Sequence, residues 1–337
     1  MTSQHAPFLV DVESLRARAE AIGIDLPLVI WDESCPSTND ALAALVHHPA
    51  EATASSGVVR GLAGDAPAAE LAELTILGTD FQSAGHGRLG RTWTVPPRRS
   101  LTFSILLAPT TPVRTWGWIP LITGEAVRAA IAEAGVPAVL KWPNDVLTAE
   151  GRKLCGILAR IETTPEGPRI VLGMGTNTRL EPADLPREDA SSLAIELGVA
   201  GSEIDHERLL LSILGTLVPG LRELAEYGED FGRSPFAARV RAGMVTLGTR
   251  VKVERPDGSF LVGEATGLDA TGDLVIDDAV SVSAGDVHHL RPAAPAEGAG
   301  SASGNGSDGG AGSDAGAASA SDSAASATPP DSGTTQR

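Results

Sequence analysis

The run Gly85-His86-Gly87-Arg88-Leu89-Gly90-Arg91-Thr92-Trp93, followed at once by Pro96-Pro97, constrains this chain most. Its glycine spacing matches the G-x-G-x-x-G of dinucleotide-binding folds. That fold needs a helix to start at the loop. Two prolines forbid the helix, and an apolar stretch at 101–107 reads as a strand instead. The run is therefore a glycine loop between strands that carries two arginines. Glycine lets backbone N–H groups approach an anion closely, and the arginine fork matches phosphate and carboxylate geometry.

Charge sharpens this point. The chain carries a formal net charge of −17, which argues against general affinity for nucleic acid or anionic membranes. Yet residues 80–107 hold Arg88, Arg91, Arg98 and Arg99 against the single acid Asp80, a net of +3. A basic island in an acidic protein predicts an anionic ligand.

The apolar pattern divides the chain into four parts: an N-terminal extension (1–27), a large domain (28–243), a small domain (244–292) and a tail (293–337). The tail contains no Val, Ile, Leu or aromatic residue. It cannot bury enough apolar surface to offset its ordering entropy and reads as disordered. In the large domain, 28–31, 74–79, 101–107, 138–142, 155–161 and 169–173 read as strands. Residues 39–46, 118–134 and 206–227 read as helices, the first capped by Ser37 or Thr38 and the last bent near Pro219-Gly220. Residues 51–70 read as a mobile loop. The expected class is α+β, a mixed sheet backed by helices on one side. In the small domain, short alternating strands joined at Asp257-Gly258 and Thr271-Gly272 predict an SH3-like β-barrel.

Two further segments carry chemistry. Lys141-Trp142-Pro143-Asn144-Asp145 precedes Lys153-Leu154-Cys155-Gly156-Ile157. On adjacent strands of one hairpin, the two lysines would face one ligand, and lysine suits an α-phosphate or a developing oxyanion. Ser37-Thr38-Asn39 alone is a helix cap, and Gly173-Met174-Gly175-Thr176-Asn177 alone is a turn after a strand. Cys35 and Cys155 show no zinc or disulfide spacing and read as reduced thiols.

Taken in order, Ser37-Thr38-Asn39, Gln82 to Trp93, Lys141 to Asp145, Lys153 to Leu158 and Gly173 to Asn177 resemble the signatures of the biotin protein ligase family. The resemblance spans about residues 28–291 and implies a catalytic domain like that of class II aminoacyl-tRNA synthetases and lipoate ligases. It implies ATP-dependent formation of biotinyl-5′-AMP and transfer of biotin to a carrier lysine, with magnesium on the phosphates. Lys153, Arg88 and Asp145 would be catalytic. Ser37, Thr38, Asn39, Gln82, His86, Gly87, Arg88, Lys153 and Gly156 would meet biotin. Arg88, Arg91, Trp93, Lys141, Asn144 and Asn177 would meet the nucleotide. His86 departs from the family pattern, which usually has Arg there, so one anion contact is weakened. Metal ligands are not legible.

The implied partner is the biotin carboxyl carrier domain of an acyl-CoA or pyruvate carboxylase. A lipoate or octanoyl transferase shares the architecture, but the glycine-arginine loop and Lys141–Asp145 point away from it. A DNA-binding repressor is not expected, because the stretch before residue 28 is too short for a helix-turn-helix. Without a signal peptide or a long apolar run, the expected location is cytoplasmic.

Overall fold

The computed structural model describes residues 8–48, 58–60 (backbone alone), 71–255 and 257–290. The expected disordered tail and most of the expected loop at 51–70 lie outside these residues. Within that loop, Val58–Arg60 forms a strand, β2, antiparallel to β1 (Val29–Asp32).

An eight-stranded sheet forms the frame. Its strands are β1, β2, β3 (Ile76–Thr79), β6 (Ser100–Leu107), β7 (Ala138–Lys141), β8 (Asp145–Thr148), β9 (Lys153–Thr164) and β10 (Gly167–Asn177), in the spatial order β2-β1-β3-β6-β10-β9-β8-β7. Only the β1–β3 pairing is parallel. A separate two-stranded hairpin pairs β4 (Gly85–His86) with β5 (Thr92–Trp93). The glycine loop therefore leads into strands, as the prolines require.

The hairpin expected from Lys141 to Lys153 needs correction. Asp145–Thr148 is itself a strand, so β8 lies between the two lysines, which are two strands apart. Asn144 and Asp145 open this strand, and Gly151, at φ +89, makes the turn that follows.

Helices cover both faces of the sheet, not one. The helices α1 (Val12–Ala21), α3 (Trp118–Glu133), α4 (Leu193–Leu197), α5 (His206–Tyr227) and α6 (Pro235–Gly243) join a core with Val29, Trp31, Phe103, Ile105 and Leu172. The helix α2 (Thr38–His47) packs Leu42, Ala43 and Leu45 on Leu28, Ile30, Leu77, Leu106 and Val171. Alternate strand residues point to opposite faces, so these are opposite sides. Uniform burial of β3 and β6 states the same fact: neither strand leaves a side chain exposed on either face.

The α2 cap is the Ser37 hydroxyl, which accepts the Asp40 backbone N–H at 3.3 Å. The helix α5 is amphipathic and continues through Pro219. Where α5 crosses α3 and α6, Gly220 admits them: a Cβ there would lie 2.7 Å from both Ile122 and Phe236. Each buried Leu or Ile on its inner face contributes roughly 1.5–3 kcal/mol. The helix α1, within the stretch read as an N-terminal extension, is part of this core. Asp11 caps it and Leu15 and Ala19 are fully buried.

The remaining strands are β11 (Arg250–Glu254), β12 (Phe260–Leu268), β13 (Leu274–Ile276), β14 (Val280–Val282) and β15 (Asp286–His289). They form a five-stranded antiparallel sheet, β14-β13-β12-β11-β15, the small SH3-like unit expected from the sequence. Two indoles fasten it to the large domain: Trp118 Nε1 donates to Ala270 O at 2.9 Å and Trp142 Nε1 to Gly272 O at 3.3 Å.

Candidate functional site

The face bearing α2 changes character along the strands. Near α2 it carries Leu106 and Val171. Two and four residues further along, the same face carries Ser104 and Thr102 on β6, then Gly173 and Gly175 on β10. Replacing large side chains with small ones leaves an opening, and a cavity of about 420 Å³ fills it.

The register shows how the floor is built. Across five strands, Lys141, Asp145, Gly156, Gly175 and Thr102 stand directly opposite one another in a single row. Directly opposed residues in antiparallel strands share a face, so one edge of the floor brings charge and the other brings bare backbone. Trp93 crowds both inner glycines, Gly175 more tightly than Gly156. A Cβ on Gly175 would lie 2.8 Å from the indole of Trp93, and one on Gly156 would lie 3.3 Å from it. A Cβ on Gly173 would meet Asn39 Oδ1 at 2.2 Å.

Every residue that the family resemblance assigns to a site lines this one cavity, from Ser37, Thr38 and Asn39 through Gln82, His86 to Arg88, Arg91, Trp93, Lys141, Asn144, Asp145, Lys153 and Gly156 to Asn177. Arg88 and Lys153 thus face the same space.

At the α2 end, polar side chains are locked to one another. Gln82 Oε1 accepts from Thr38 N at 2.7 Å and from Thr38 Oγ1 at 3.1 Å. The Ser104 hydroxyl lies 2.8 Å from Thr38 Oγ1 and 2.7 Å from Asn39 Oδ1, while Asn39 Nδ2 donates to Leu158 O at 3.0 Å.

At the charged end, Lys153 Nζ sits 2.7 Å from Asp145 Oδ1 and 5.7 Å from the centre of the Trp93 ring. Arg88 Nη1 donates to Asn144 Oδ1 at 3.3 Å, and Asn144 Nδ2 donates to Ile157 O at 2.7 Å. Burial pushes the pKa of Lys141 below its ordinary value, opposed by Asp145 and assisted by Lys153. Burial likewise lowers that of Arg88, again opposed by Asp145. Both cations sit where an anionic ligand would restore the charge balance lost on desolvation.

Two buried polar atoms of the lining, Trp93 Nε1 and Asn177 Oδ1, have no hydrogen-bond partner among the described residues. Asn177 Nδ2 is committed to Lys153 O at 3.4 Å. Such atoms cost about 1–3 kcal/mol each when unmet, and a ligand can satisfy them.

Three features depart from the sequence expectation. Half of the basic island is structural: Arg98 pairs with Asp80 at 2.8 Å, and Arg99 pairs with Glu181 at 2.8 Å and Asp184 at 3.4 Å. Arg91 lines the cavity but is ion-paired with Asp286 of β15. Asp286, Val287 and His288, together with Pro186, Arg187, Asp189 and Ala190, belong to the lining without any sequence signal. Only the docking of the small sheet and the chain's return beside Lys153 bring them there. Lys153 N donates to Asp189 O at 2.7 Å. Cys155 is enclosed by the fold and its thiol is pushed up to about 12, chiefly by burial, as befits a packing residue.

With this geometry established, comparison with known proteins is informative. A model described as the biotin/lipoate A/B protein ligase family matches residues 62–177, and one for the biotin protein ligase C-terminal domain matches residues 246–290. A biotin--[acetyl-CoA-carboxylase] ligase of Mycobacterium tuberculosis is 39% identical over 224 residues, covering 64% of this chain and 79% of that protein. The chain belongs to the biotin protein ligase family. The bifunctional ligase/repressor BirA of Bacillus subtilis is a more distant member of the comparison, 29% identical over 208 residues, or 61% of this chain and 62% of BirA. Among solved structures, a biotin protein ligase from Aquifex aeolicus in complex with biotin and ATP superposes with a TM-score of 0.59 at 24% identity, over 78% of this chain and 99% of that one. It supports the shared fold. The family's fold thus accounts for both the large sheet and the small C-terminal one, and no helix among the described residues is long and apolar enough to cross a membrane.

Proposed function

We propose that this chain couples biotin to ATP, forming biotinyl-5′-AMP, and transfers the biotinyl group to a lysine of a biotin carboxyl carrier domain in an acyl-CoA or pyruvate carboxylase. The observation that carries this reading is the Lys153–Asp145 pair on a floor of bare glycine backbone, with Arg88 beside it, in a member of the biotin protein ligase family.

In the first step a biotin carboxylate oxygen attacks the α-phosphorus and the bond to pyrophosphate breaks. Lys153 would meet the carboxylate and α-phosphate, with Arg88 adding charge where charge develops. Ser37, Thr38, Asn39, Gln82, His86, Gly87 and Gly156 would hold biotin, with Thr38 and Gln82 hydrogen-bonded to each other and Asn39 to Ser104 and Leu158. Arg91, Trp93, Lys141, Asn144 and Asn177 would hold the nucleotide, whose donors and acceptors suit the unmet Asn177 Oδ1 and Trp93 Nε1. In the second step the carrier amine attacks the anhydride carbonyl, the amide forms and AMP leaves. Asp145, released from Lys153 as phosphate takes its place, would guide the amine and accept its proton. The hairpin over the cavity would shield the anhydride from water.

Magnesium is expected with the nucleotide. Among the described residues, no group of three or more His, Cys, Asp or Glu is placed to hold a metal, and Asp145 is already paired. A fixed protein cage does not fit, so the ion is proposed to arrive on the phosphates.

The family model for 62–177 covers lipoate as well as biotin enzymes, and the match to the biotin protein ligase C-terminal domain favours biotin. The test supplies an isolated carrier domain, ATP and either labelled biotin or labelled lipoate. Incorporation of biotin at one lysine, with release of pyrophosphate and AMP, is the expected result. Incorporation of lipoate alone, or none of either, overturns the reading.

A further inference from the structure

The hairpin β4–β5 forms a flap over the cavity, seated on the floor through Trp93, which lies against Gly175 and Gly156. Among the described residues its two strands pair only with each other. His86, Leu89, Gly90, Arg91 and Thr92 are exposed, and Leu89 at the tip holds the left-handed conformation, at φ 54 and ψ 37. Beyond Trp93 the hairpin buries few side chains, and such a segment opens locally at low cost. Side-chain contacts at its flanks therefore govern how firmly it stays over the cavity.

One flank is held by Arg91 and Asp286. The other is held from outside the cavity lining. His86 Nε2 lies 3.0 Å from Asp40 Oδ2. The second oxygen, Asp40 Oδ1, accepts from Arg160 Nη1 at 2.9 Å. Arg160, on β9, pairs in turn with Glu162, whose Oε2 lies 2.9 Å from His47 Nε2 at the last turn of α2. The Asp40 carboxylate is thus braced from the sheet on one oxygen and offers the other to the flap. It also sits in the first turn of α2, directly after the Ser37–Asn39 stretch that lines the cavity.

We propose that Asp40 is a positioning residue: braced by Arg160, it grips His86 and holds the flap closed over the cavity. It touches no reacting atom. The consequence for catalysis, slower escape of the adenylate, rests on the ligase reading above, whereas the grip itself does not. His86 and Asp40 are both about half exposed, so the grip is a modest one. The expected effect of losing it is roughly two- to five-fold, the range of exposed ion pairs.

Two measurements on the full chain test this. In the first, ligand-free protein is digested briefly with trypsin and cleavage after Arg88 and Arg91 is followed by mass. Asp40→Ala and Arg160→Met should each be cut there roughly two- to five-fold faster than wild type. An Asp40→Ala/His86→Ala double variant should be cut no faster than Asp40→Ala. Equal rates in wild type and Asp40→Ala overturn the proposal. So do effects of the two substitutions that multiply, or faster cutting spread over the whole chain, which would make Asp40 a residue of the fold. In the second, preformed biotinyl-AMP is chased from the enzyme. Asp40→Ala should release it faster by a similar factor, with the KM for biotin in adenylation unchanged. A raised KM with unchanged release overturns the positioning role. If wild type forms no adenylate at all, the ligase reading fails while the cleavage result stands on its own.

Discussion

The floor of the cavity and the flap above it are both built from glycine-rich strands, yet they are held in place by different physics. The floor at Gly156, Gly173 and Gly175 lies inside an eight-stranded ladder, and the missing side chains leave space that Trp93 and Asn39 fill to contact distance. The flap's Gly90, at φ +72, has nothing within 4 Å of where a Cβ would stand. Glycine in the floor makes room, and glycine in the flap supplies backbone freedom. The floor is therefore rigid by packing and hydrogen bonding, while the flap rests on Trp93 and on a few polar side-chain pairs at its flanks. A reaction that must admit two substrates, hold a reactive anhydride and then admit a protein lysine benefits from one fixed wall and one movable one.

Five substitutions probe this contrast, from the largest expected effect to the smallest. Lys153→Ala removes the floor's cation beside the proposed α-phosphate site and should lower the rate of adenylate formation by about 10²–10³. Near-normal pyrophosphate release would show that the floor's charge is not what drives activation. Arg88→Ala, on the flap, should leave adenylation measurable but speed loss of the adenylate by about ten-fold, as expected for a lost charge-assisted bond. Biotin appearing on bystander lysines reads this out, and an unchanged adenylate half-life would remove Arg88 from the flap's grip on the intermediate.

Gly175→Ala tests the rigidity of the floor directly. The new methyl would meet the Trp93 indole at 2.8 Å, and overpacking of this kind costs about 1–3 kcal/mol. Denaturant unfolding should show it, whereas Gly90→Ala should leave the unfolding midpoint nearly unmoved. Equal losses from both would erase the distinction between wall and flap.

The last probe separates both regions from the global fold. Buried His206, with Nε2 2.6 Å from the Thr178 hydroxyl, has its imidazole pushed down to about 3, first by burial and then by Arg179 and Arg98. It is neutral when folded and takes up a proton on unfolding once the pH falls below its ordinary value. Its contribution is therefore present above about pH 6.5 and is lost as the pH drops toward 3, at up to about 1.4 kcal/mol per pH unit. His206→Gln should flatten the decline of the thermal midpoint between pH 6.5 and 5. An identical slope would exclude His206 as the source.

Much of the site was legible because its chemistry sits in short runs. Gly85 to Trp93 and Lys153 to Gly156 each combine glycine with charge, Lys141 to Asp145 combines charge with an amide, and a phosphate-bearing ligand calls for such groups. What misled was charge without position. Arg98 and Arg99 look like the arginines of the flap, but the fold spends them on Asp80, Glu181 and Asp184. The strand at Asp145–Thr148 was missed because Asn144-Asp145 reads as a turn by composition. Helices on both faces were missed because a single helix, α2, covers the second one. Nothing around Asp286 or Asp40 in the linear sequence marks either as a partner of the flap.

Local runs of residues thus determined the strands, the caps, the glycine loop and the types of group the cavity would contain, since these depend on backbone sterics and neighbours a few positions away. Tertiary structure alone decided which of those groups meet. The transverse row from Lys141 to Thr102, the pairing of Lys153 with Asp145, and the carboxylates of Asp40 and Asp286 that grip the flap all depend on strand register and on how separate layers dock. These follow from burying apolar faces across the whole molecule, a condition no short stretch of the chain can express by itself.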